Sequence, residues 1–153
     1  MIQRIQSIFL FLAGLVTASL LMDPISLITL NTSDLANSAT NSVLADGIFH
    51  STDHILLTIM IVLNIIIVIV ALFRFKNRPL QITLSRVGIA IAVLFVVLSG
   101  FLFYQDYQQI PTGTEITVEY GVISPIVEII LLWLAIRYIT KDDKLVRSMD
   151  RLR

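Results

Sequence analysis

The chain has 153 residues, of which 56% are hydrophobic and only 14% are charged, and its mean hydropathy is +0.87. Soluble domains carry about 25% charged residues, and so short a chain cannot bury this much apolar surface in its own core. The absence of cysteine excludes disulfides and thiolate metal sites, and the zero net charge argues against nucleic acid as a partner. We therefore expect one small domain embedded in a lipid bilayer.

Four apolar segments predict an all-α integral membrane bundle of four transmembrane helices, as a single domain over residues 1–153. Each segment is close to the ~20 residues that a helix needs to cross a ~30 Å hydrocarbon layer. The predicted spans are 5–22, 55–73, 82–104 and 120–139. The first span also has features of a weak signal peptide, but its apolar run continues past the small residues that would mark cleavage.

The distribution of charge predicts the orientation of the bundle. All eleven Lys and Arg residues lie near the two chain ends or around the connection between the second and third spans. The loops 23–54 and 105–119 contain no Lys or Arg and hold seven acidic residues. The positive-inside rule therefore places both chain ends, with the tail 140–153, on the cytoplasmic side.

The two outer loops contain stretches of strand-like composition. Residues 25–30 (ISLITL) and 114–120 (TEITVEY) predict two short strands that pair into a small cap over the outer mouth of the bundle. Residues 31–42 are a polar run of low complexity, which predicts a mobile segment without a core.

Glu128 is the one ionisable residue deep in a predicted span, where a charge costs about 3 kcal/mol or more unless it is neutralised or paired. Glu128 shares a helical stripe with Gly121 and Pro125, which turns it toward protein, and Pro125 is expected to free the Gly121 carbonyl from its helical bond. Asn64 and Ser99 are its candidate hydrogen-bond partners. Three interpretations stay open: a hydrogen bond that fixes helix register, a contact with a partner subunit, and a step in ion or proton movement.

Two pairs of small residues predict close helix packing. Gly14 and Ala18 form one pair in the first span, and Gly88 and Ala92 form the other in the third. Such pairs let helix backbones approach closely in lipid. They serve packing within the bundle or contact with a partner helix.

His50 and His54 have the i, i+4 spacing of metal ligands at the start of the second span. No third ligand follows from the sequence, and Ser51, Thr52 or Asp53 are well suited to cap the helix. No phosphate-binding, dinucleotide-binding or nucleophile-elbow motif is present either. We therefore predict no enzymatic activity, no catalytic residue, no metal, no cofactor and no small-molecule substrate.

The charged tail, residues 140–153, predicts a short amphipathic helix or a helical extension of the fourth span. Its apolar residues recur on one helical face: Leu145, Val146, Met149 and Leu152. Thr140 and Asp143 have the spacing of a capping box, which marks a helix start. A helix this short needs a surface to lie on, and the bilayer interface and a partner protein are the alternatives.

The basic residues of the cytoplasmic side are the predicted contacts to partner subunits or to anionic lipid headgroups. These are Arg74, Lys76, Arg78, Lys141, Lys144, Arg147, Arg151 and Arg153.

Three stretches together resemble domain of unknown function 4293, a family of small four-span proteins of Bacteroidota. They are the opening MIQRIQSIFLFLA, the connection FKNRPLQI with Arg86 downstream, and the ending KDDKLVRSMDRLR. The resemblance implies an uncleaved first span and a place in the inner membrane of a two-membrane bacterium. It implies no activity, since the family has none assigned.

We expect a non-enzymatic accessory or scaffolding subunit of a larger membrane protein complex. The reason is that the specific charge patterns lie at the cytoplasmic ends, whereas the interior of the bundle has few polar or ionisable side chains. The alternative is a small transporter or channel component that uses Glu128.

Overall fold

The computed structural model describes residues 3–22, 25–31, 44, 46–75, 77–108 and 115–150, and within them the chain is mostly helical. The helices are α1 (Gln3–Ser19), α2 (Ile55–Phe73), α3 (Arg78–Tyr107) and α4 (Ile123–Asp150). The strands are β1 (Ile28–Asn31), β2 (Ile48–Phe49) and β3 (Glu115–Val118), and a short 3-10 turn (Tyr120–Val122) leads into α4.

Three of the helices, α2, α3 and α4, are long and apolar enough to cross a membrane. The fourth, α1, is apolar but has only 17 residues, which span about 26 Å. Helix α1 packs against α2 and α4, and α3 packs against the same two helices. The four helices therefore form a ring in which α1 and α3 occupy opposite corners, as do α2 and α4.

Helix α3 begins four residues before the predicted span because its first turn is well capped. The Asn77 side chain accepts a hydrogen bond from the Leu80 backbone N–H at 3.3 Å. Pro79 lies in the first turn, where a missing N–H leaves no helical bond unmade. Pro125 has a similar place, since α4 begins at Ile123, so the break expected at Gly121 does not fall inside a helix.

Helix α4 runs without a break from the bundle into the charged tail. The Thr140 hydroxyl donates to the Ile136 carbonyl at 2.8 Å, one turn back in the same helix. The capping box expected at Thr140 was therefore wrong, because that residue lies inside a continuous helix and starts nothing. Of the two forms expected for the tail, the described residues adopt the extension of the fourth span.

A three-stranded antiparallel sheet of order β2-β1-β3 covers one end of the bundle, which we call the sheet end. The two strands expected from composition pair with each other, with Ile28 opposite Val118 and Asn31 opposite Glu115. The sheet is tied to the start of α4, because the Gly121 N–H donates to the Ser26 carbonyl at 3.0 Å. A side chain at position 121 would collide with that carbonyl, so the close approach requires glycine. The polar run expected over 31–42 lies outside the described residues apart from Asn31.

The buried core consists of two apolar clusters stacked along the bundle. The cluster at the sheet end includes Leu20, Leu27, Phe49, Leu57 and Phe95. The cluster at the opposite end, which we call the basic end because Arg74, Arg78 and Lys141 lie there, consists of Leu10, Ala13, Val68, Ala71, Leu132 and Ala135. Polar side chains occupy the layer between the two clusters.

Candidate functional site

The polar layer between the two clusters is built from one side chain on each of three helices. Thr17 of α1, Asn64 of α2 and Glu128 of α4 are all buried, and the Glu128 side chain is only 1% exposed. Each lies one turn from apolar core residues of its own helix, so the helical repeat turns it inward with them. The sequence places these residues far apart, and the ring of helices brings them together.

The central contact joins Asn64 and Glu128. The Asn64 Nδ2 donates to the Glu128 Oε1 at 2.8 Å, and the same nitrogen lies 3.4 Å from the Gly88 carbonyl oxygen of α3. The Thr17 side chain lies beside the same small cavity as the carboxyl, and the Thr17 hydroxyl donates to the Ala13 carbonyl at 2.9 Å. The Asn64 amide thus links α2 to both α3 and α4 at one height, with Thr17 of α1 beside them.

The neighbours of the Glu128 carboxyl are neutral. Within the described residues, no Lys, Arg or His pairs with it. Buried polar groups are tolerated when they are hydrogen-bonded, and the Asn64 amide supplies such a bond to the carboxyl. Within the polar layer, the Asn64 Oδ1 is buried without a hydrogen-bond partner among the described residues.

A very small cavity lies beside the polar layer. The centre of a water molecule has about 10 Å³ of room there, between the three polar side chains and apolar residues such as Leu20, Met60 and Phe95. This volume suffices for about one water molecule. A molecule larger than water does not fit in this cavity.

Ser99, the other candidate partner of Glu128, is elsewhere. Its hydroxyl donates to the Val96 carbonyl at 3.0 Å within α3. Ser99 lines an apolar surface cleft near the sheet end, with Leu27 and Phe49. The structure therefore brings Asn64 to Glu128 and leaves Ser99 apart.

The two pairs of small residues have different surroundings. Gly88 and Ala92 are buried and face the bundle interior. A Cβ at Gly88 would lie 3.1 Å from the Leu132 Cδ1 and 3.2 Å from the Asn64 Oδ1, so glycine leaves the room that the polar layer needs. Gly14 and Ala18 instead line an apolar groove of about 200 Å³ between α1 and α2.

At the sheet end, the two histidines contact different acidic residues. The His54 Nε2 lies 2.7 Å from the Asp106 Oδ2 and so links the start of α2 to the end of α3. The Asp53 Oδ2 accepts a hydrogen bond from the His50 backbone N–H at 2.6 Å, and burial raises the pKa of the Asp53 carboxyl above its usual 3.8. Within the described residues, no three His, Asp or Glu side chains are grouped to hold a metal ion.

The expected cap at the start of α2 was wrong. Its N-cap residue is His54, and no side chain there accepts a hydrogen bond from the first turn. Asp53 binds the His50 backbone instead.

At the basic end, one ion pair joins two of the sequence motifs. The Arg78 guanidinium nitrogen Nη2 lies 2.8 Å from the Asp142 Oδ2, with both side chains largely buried. Arg78 begins α3 and Asp142 lies in the extension of α4, so the pair braces the extension against the α2–α3 connection. Asp142 was not among the predicted residues, because an acid within a basic block does not stand out.

The remaining basic residues are placed as follows. Arg74 is exposed at the end of α2, and Lys141 and Lys144 are exposed on α4. Lys76, Arg151 and Arg153 lie outside the described residues, as does the side chain of Arg147.

Comparisons with curated proteins and with solved structures give no match. A family model described as Domain of unknown function (DUF4293) matches residues 2–152. The match takes in the four helices, the strands of the sheet and both partners of the ion pair at the basic end. Because it extends over nearly the whole chain, the protein belongs to the family of domain of unknown function 4293.

Proposed function

We propose that this protein is a non-enzymatic accessory or scaffolding subunit of a larger membrane protein complex in a bacterial inner membrane. The observation that carries the proposal is the braced extension of α4, which the Arg78–Asp142 ion pair holds against the α2–α3 connection. In this proposal the bundle anchors the protein in the bilayer, and the basic end docks a partner on the cytoplasmic side.

The length of α4 supports a projecting docking element. The helix has 28 residues and is about 42 Å long, whereas the hydrocarbon layer is about 30 Å thick. If the Asn64–Glu128 contact marks the middle of the bilayer, Asp150 lies about 33 Å along α4 from it, well beyond the hydrocarbon boundary. The projecting part carries Lys141, Lys144 and Leu145 on exposed positions, which combine charge with apolar surface.

The surface of α1 supports a fourth span, with both chain ends on the cytoplasmic side. Its outward positions are large and apolar, including Ile8, Phe11 and Leu15, each more than half exposed. Such a surface is stable against lipid and unfavourable against water. Four antiparallel spans would bring both ends to the basic side, in agreement with the positive-inside rule.

The interior of the bundle supports a scaffold as well. The Glu128 carboxyl is enclosed and hydrogen-bonded to Asn64, and the adjoining cavity of about 10 Å³ takes no substrate. A buried polar contact of this kind specifies one arrangement of helices.

The proposal is tested by tagging the amino-terminal end and purifying the protein from native membranes in mild detergent. We expect discrete partner proteins in fixed ratio with the full chain, and loss of those partners when residues 141–153 are deleted. A circular dichroism spectrum of the deletion variant, matching the full chain, controls for folding. Recovery of the monomer alone, or an unchanged set of partners after deletion, contradicts the proposal.

The alternative is a small transporter or channel component. The observation in its favour is the buried Glu128 beside the Asn64 Oδ1, which has no hydrogen-bond partner among the described residues; together they offer polar groups at the centre of the bundle. It predicts a flux of protons or common ions in proteoliposomes that Glu128→Gln abolishes. A wild-type protein without flux counts against it.

A further inference from the structure

One face of α4 at the basic end carries three cations and the single tryptophan of the chain. Trp133, Arg137, Lys141 and Lys144 follow one another at helical spacing, and with Ile136 and Thr140 they line a shallow depression of about 500 Å³. Side chains three and four positions apart lie next to each other on a helix, so the cations form a continuous stripe below the indole.

The arrangement at the top of the stripe is well defined. The Arg137 guanidinium carbon lies 5.5 Å from the centre of the Trp133 ring, within the range of a cation–π contact. Trp133 is 53% exposed, so the other side of its ring faces the surroundings of the bundle.

The stripe takes no part in the ion pairs found among the described residues. These pairs join His54 to Asp106 and Arg78 to Asp142, and neither involves Arg137, Lys141 or Lys144. The nearby Asp142 is engaged by Arg78 on another side of the helix. The face therefore presents positive charge that an external anion can neutralise.

The position along α4 indicates which anion is available. Asn64 is the central residue of α2, so we take the height of its bond to Glu128 as the middle of the bilayer. Counting from Glu128 at 1.5 Å per residue, Trp133 lies about 8 Å from the midplane, Arg137 about 14 Å and Lys141 about 20 Å. The hydrocarbon boundary is about 15 Å from the midplane and headgroups extend to about 22 Å. Arg137 thus lies at the boundary and Lys141 among the headgroups, where lipid phosphates are the abundant anions.

We propose that this face of α4 is a binding site for an anionic phospholipid, whose phosphate contacts Arg137 and Lys141 while its upper acyl chain lies against Trp133. A guanidinium at the hydrocarbon boundary is costly without a counter-ion, and its planar fork of donors matches a phosphate. Lys144 adds attraction for a second negative charge of the headgroup. The site requires that α4 crosses the bilayer with the Asn64–Glu128 bond near the midplane and needs no partner protein, so it goes beyond the proposed docking function.

Because the chain has one tryptophan, its fluorescence reports on this site alone. The full chain is reconstituted into phosphatidylcholine vesicles that contain increasing fractions of a lipid with brominated acyl chains, which quench indole fluorescence on contact. We expect brominated phosphatidylglycerol to reach half-maximal quenching at a mole fraction at least fivefold lower than brominated phosphatidylcholine. Equal quenching by the two lipids overturns the proposal.

Substitutions in the stripe test whether its basic residues cause the preference for phosphatidylglycerol. We expect Lys141→Gln to weaken the preference for phosphatidylglycerol severalfold, and Lys141→Gln with Lys144→Gln to weaken it further, toward equal quenching by the two lipids, since each basic residue near an anionic surface contributes comparably. Arg74→Gln is the matched control, because Arg74 is an exposed cation on α2, diagonally across the ring. A preference that Arg74→Gln weakens as much as Lys141→Gln would show general attraction to the membrane and overturn the site.

Inorganic phosphate distinguishes a lipid site from a simple anion site. We expect millimolar phosphate in the buffer to leave the quenching by brominated phosphatidylglycerol unchanged, since the acyl chain against Trp133 contributes to binding. Displacement of the lipid by phosphate would overturn the assignment to a phospholipid.

Discussion

Glu128 and Asn64 hold the middle of the bundle through a single hydrogen bond between two buried side chains. Between helices in a membrane, such bonds contribute about 1 kcal/mol. The cost of breaking the pair is larger, because the partner that remains is buried without a hydrogen bond. Removing this one contact therefore tests how the bundle is held together.

Replacing Asn64 by leucine should lower the stability of the bundle by about 1–3 kcal/mol, because the Glu128 carboxyl then loses its amide donor. Unfolding is followed by circular dichroism in mixed micelles of increasing sodium dodecyl sulfate. Ser99→Ala is the control, since the Ser99 hydroxyl bonds the Val96 carbonyl of its own helix and its loss should change stability little. Equal losses in the two variants would mean that Asn64 has no special role.

Gly88 and Gly14 provide a matched pair for packing. Alanine at position 88 would place its Cβ 3.2 Å from the Asn64 Oδ1, whereas alanine at position 14 would meet only the Val68 Cγ1, at an ordinary 3.5 Å. Both changes gain the same helix propensity, so we expect Gly88→Ala to be less stable than Gly14→Ala by about 1–3 kcal/mol. The same unfolding assay measures the difference, and a Gly14→Ala variant that is the less stable one would contradict the packing described.

Asp53 should make the stability of the sheet end depend on pH. Its folded-state pKa is raised by burial above the usual 3.8, so its contribution to stability is complete below that value and is lost as the pH rises through the folded-state pKa. Asp53→Asn keeps an acceptor for the His50 N–H and should flatten the stability profile above pH 4. Glu115→Gln, which removes a carboxyl at an exposed position of β3, is the matched control. A profile that Asp53→Asn leaves unchanged would be against this role.

At the residue scale, the sequence points to Glu128 and Asn64 because polar side chains are conspicuous in apolar spans. Thr17 gives no such signal, since a threonine in a membrane helix commonly satisfies its hydroxyl on its own backbone, as Thr17 does on Ala13. Its proximity to Glu128 depends on the packing of α1 against α4, which no local pattern encodes.

At the scale of elements, α4 is the helix in which hydropathy and structure differ most. The predicted span ends at residue 139 because charged residues begin there, yet the helix continues to Asp150. Lys, Arg and Leu are good helix formers, so the end of an apolar run does not end the backbone hydrogen bonding. Strand-like composition was sufficient to predict β1 and β3, but β2, with only two residues, is too short to leave a pattern.

The extension of α4 should depend on the Arg78–Asp142 ion pair. We expect Arg78→Glu to speed amide hydrogen exchange in the extension by a few-fold, since a largely buried pair of this kind contributes about 1 kcal/mol and the variant adds repulsion. The double variant Arg78→Glu with Asp142→Arg restores the attraction and should restore slow exchange. Arg74→Glu, which has no described acidic partner, is the control. Exchange that stays fast in the double variant would show that the two residues act independently.

At the scale of the whole molecule, composition predicts a helical membrane protein because so much apolar surface needs lipid around it. Composition does not predict the order of the helices in the ring. The short α2–α3 connection predicts that these two helices are antiparallel neighbours, but nothing in the sequence predicts that α1 packs beside α4. That contact joins the two ends of the chain and rests on the fit of side chains such as Phe9 and Tyr138, whose rings stack at 5.3 Å. The result is one bundle whose middle has an apolar outer surface and whose basic end is charged and held by an ion pair.

The most direct test of a docking function places a photo-crosslinking amino acid at Leu145, on the extension of α4, in living cells. The control position is Val97, a 63% exposed residue on the apolar outer surface of α3. If the extension docks a partner subunit, illumination gives a protein adduct of one discrete mass from position 145 and none from position 97. Absence of a protein adduct at position 145, or the same adduct from both positions, contradicts the proposal that this end of the molecule binds a partner.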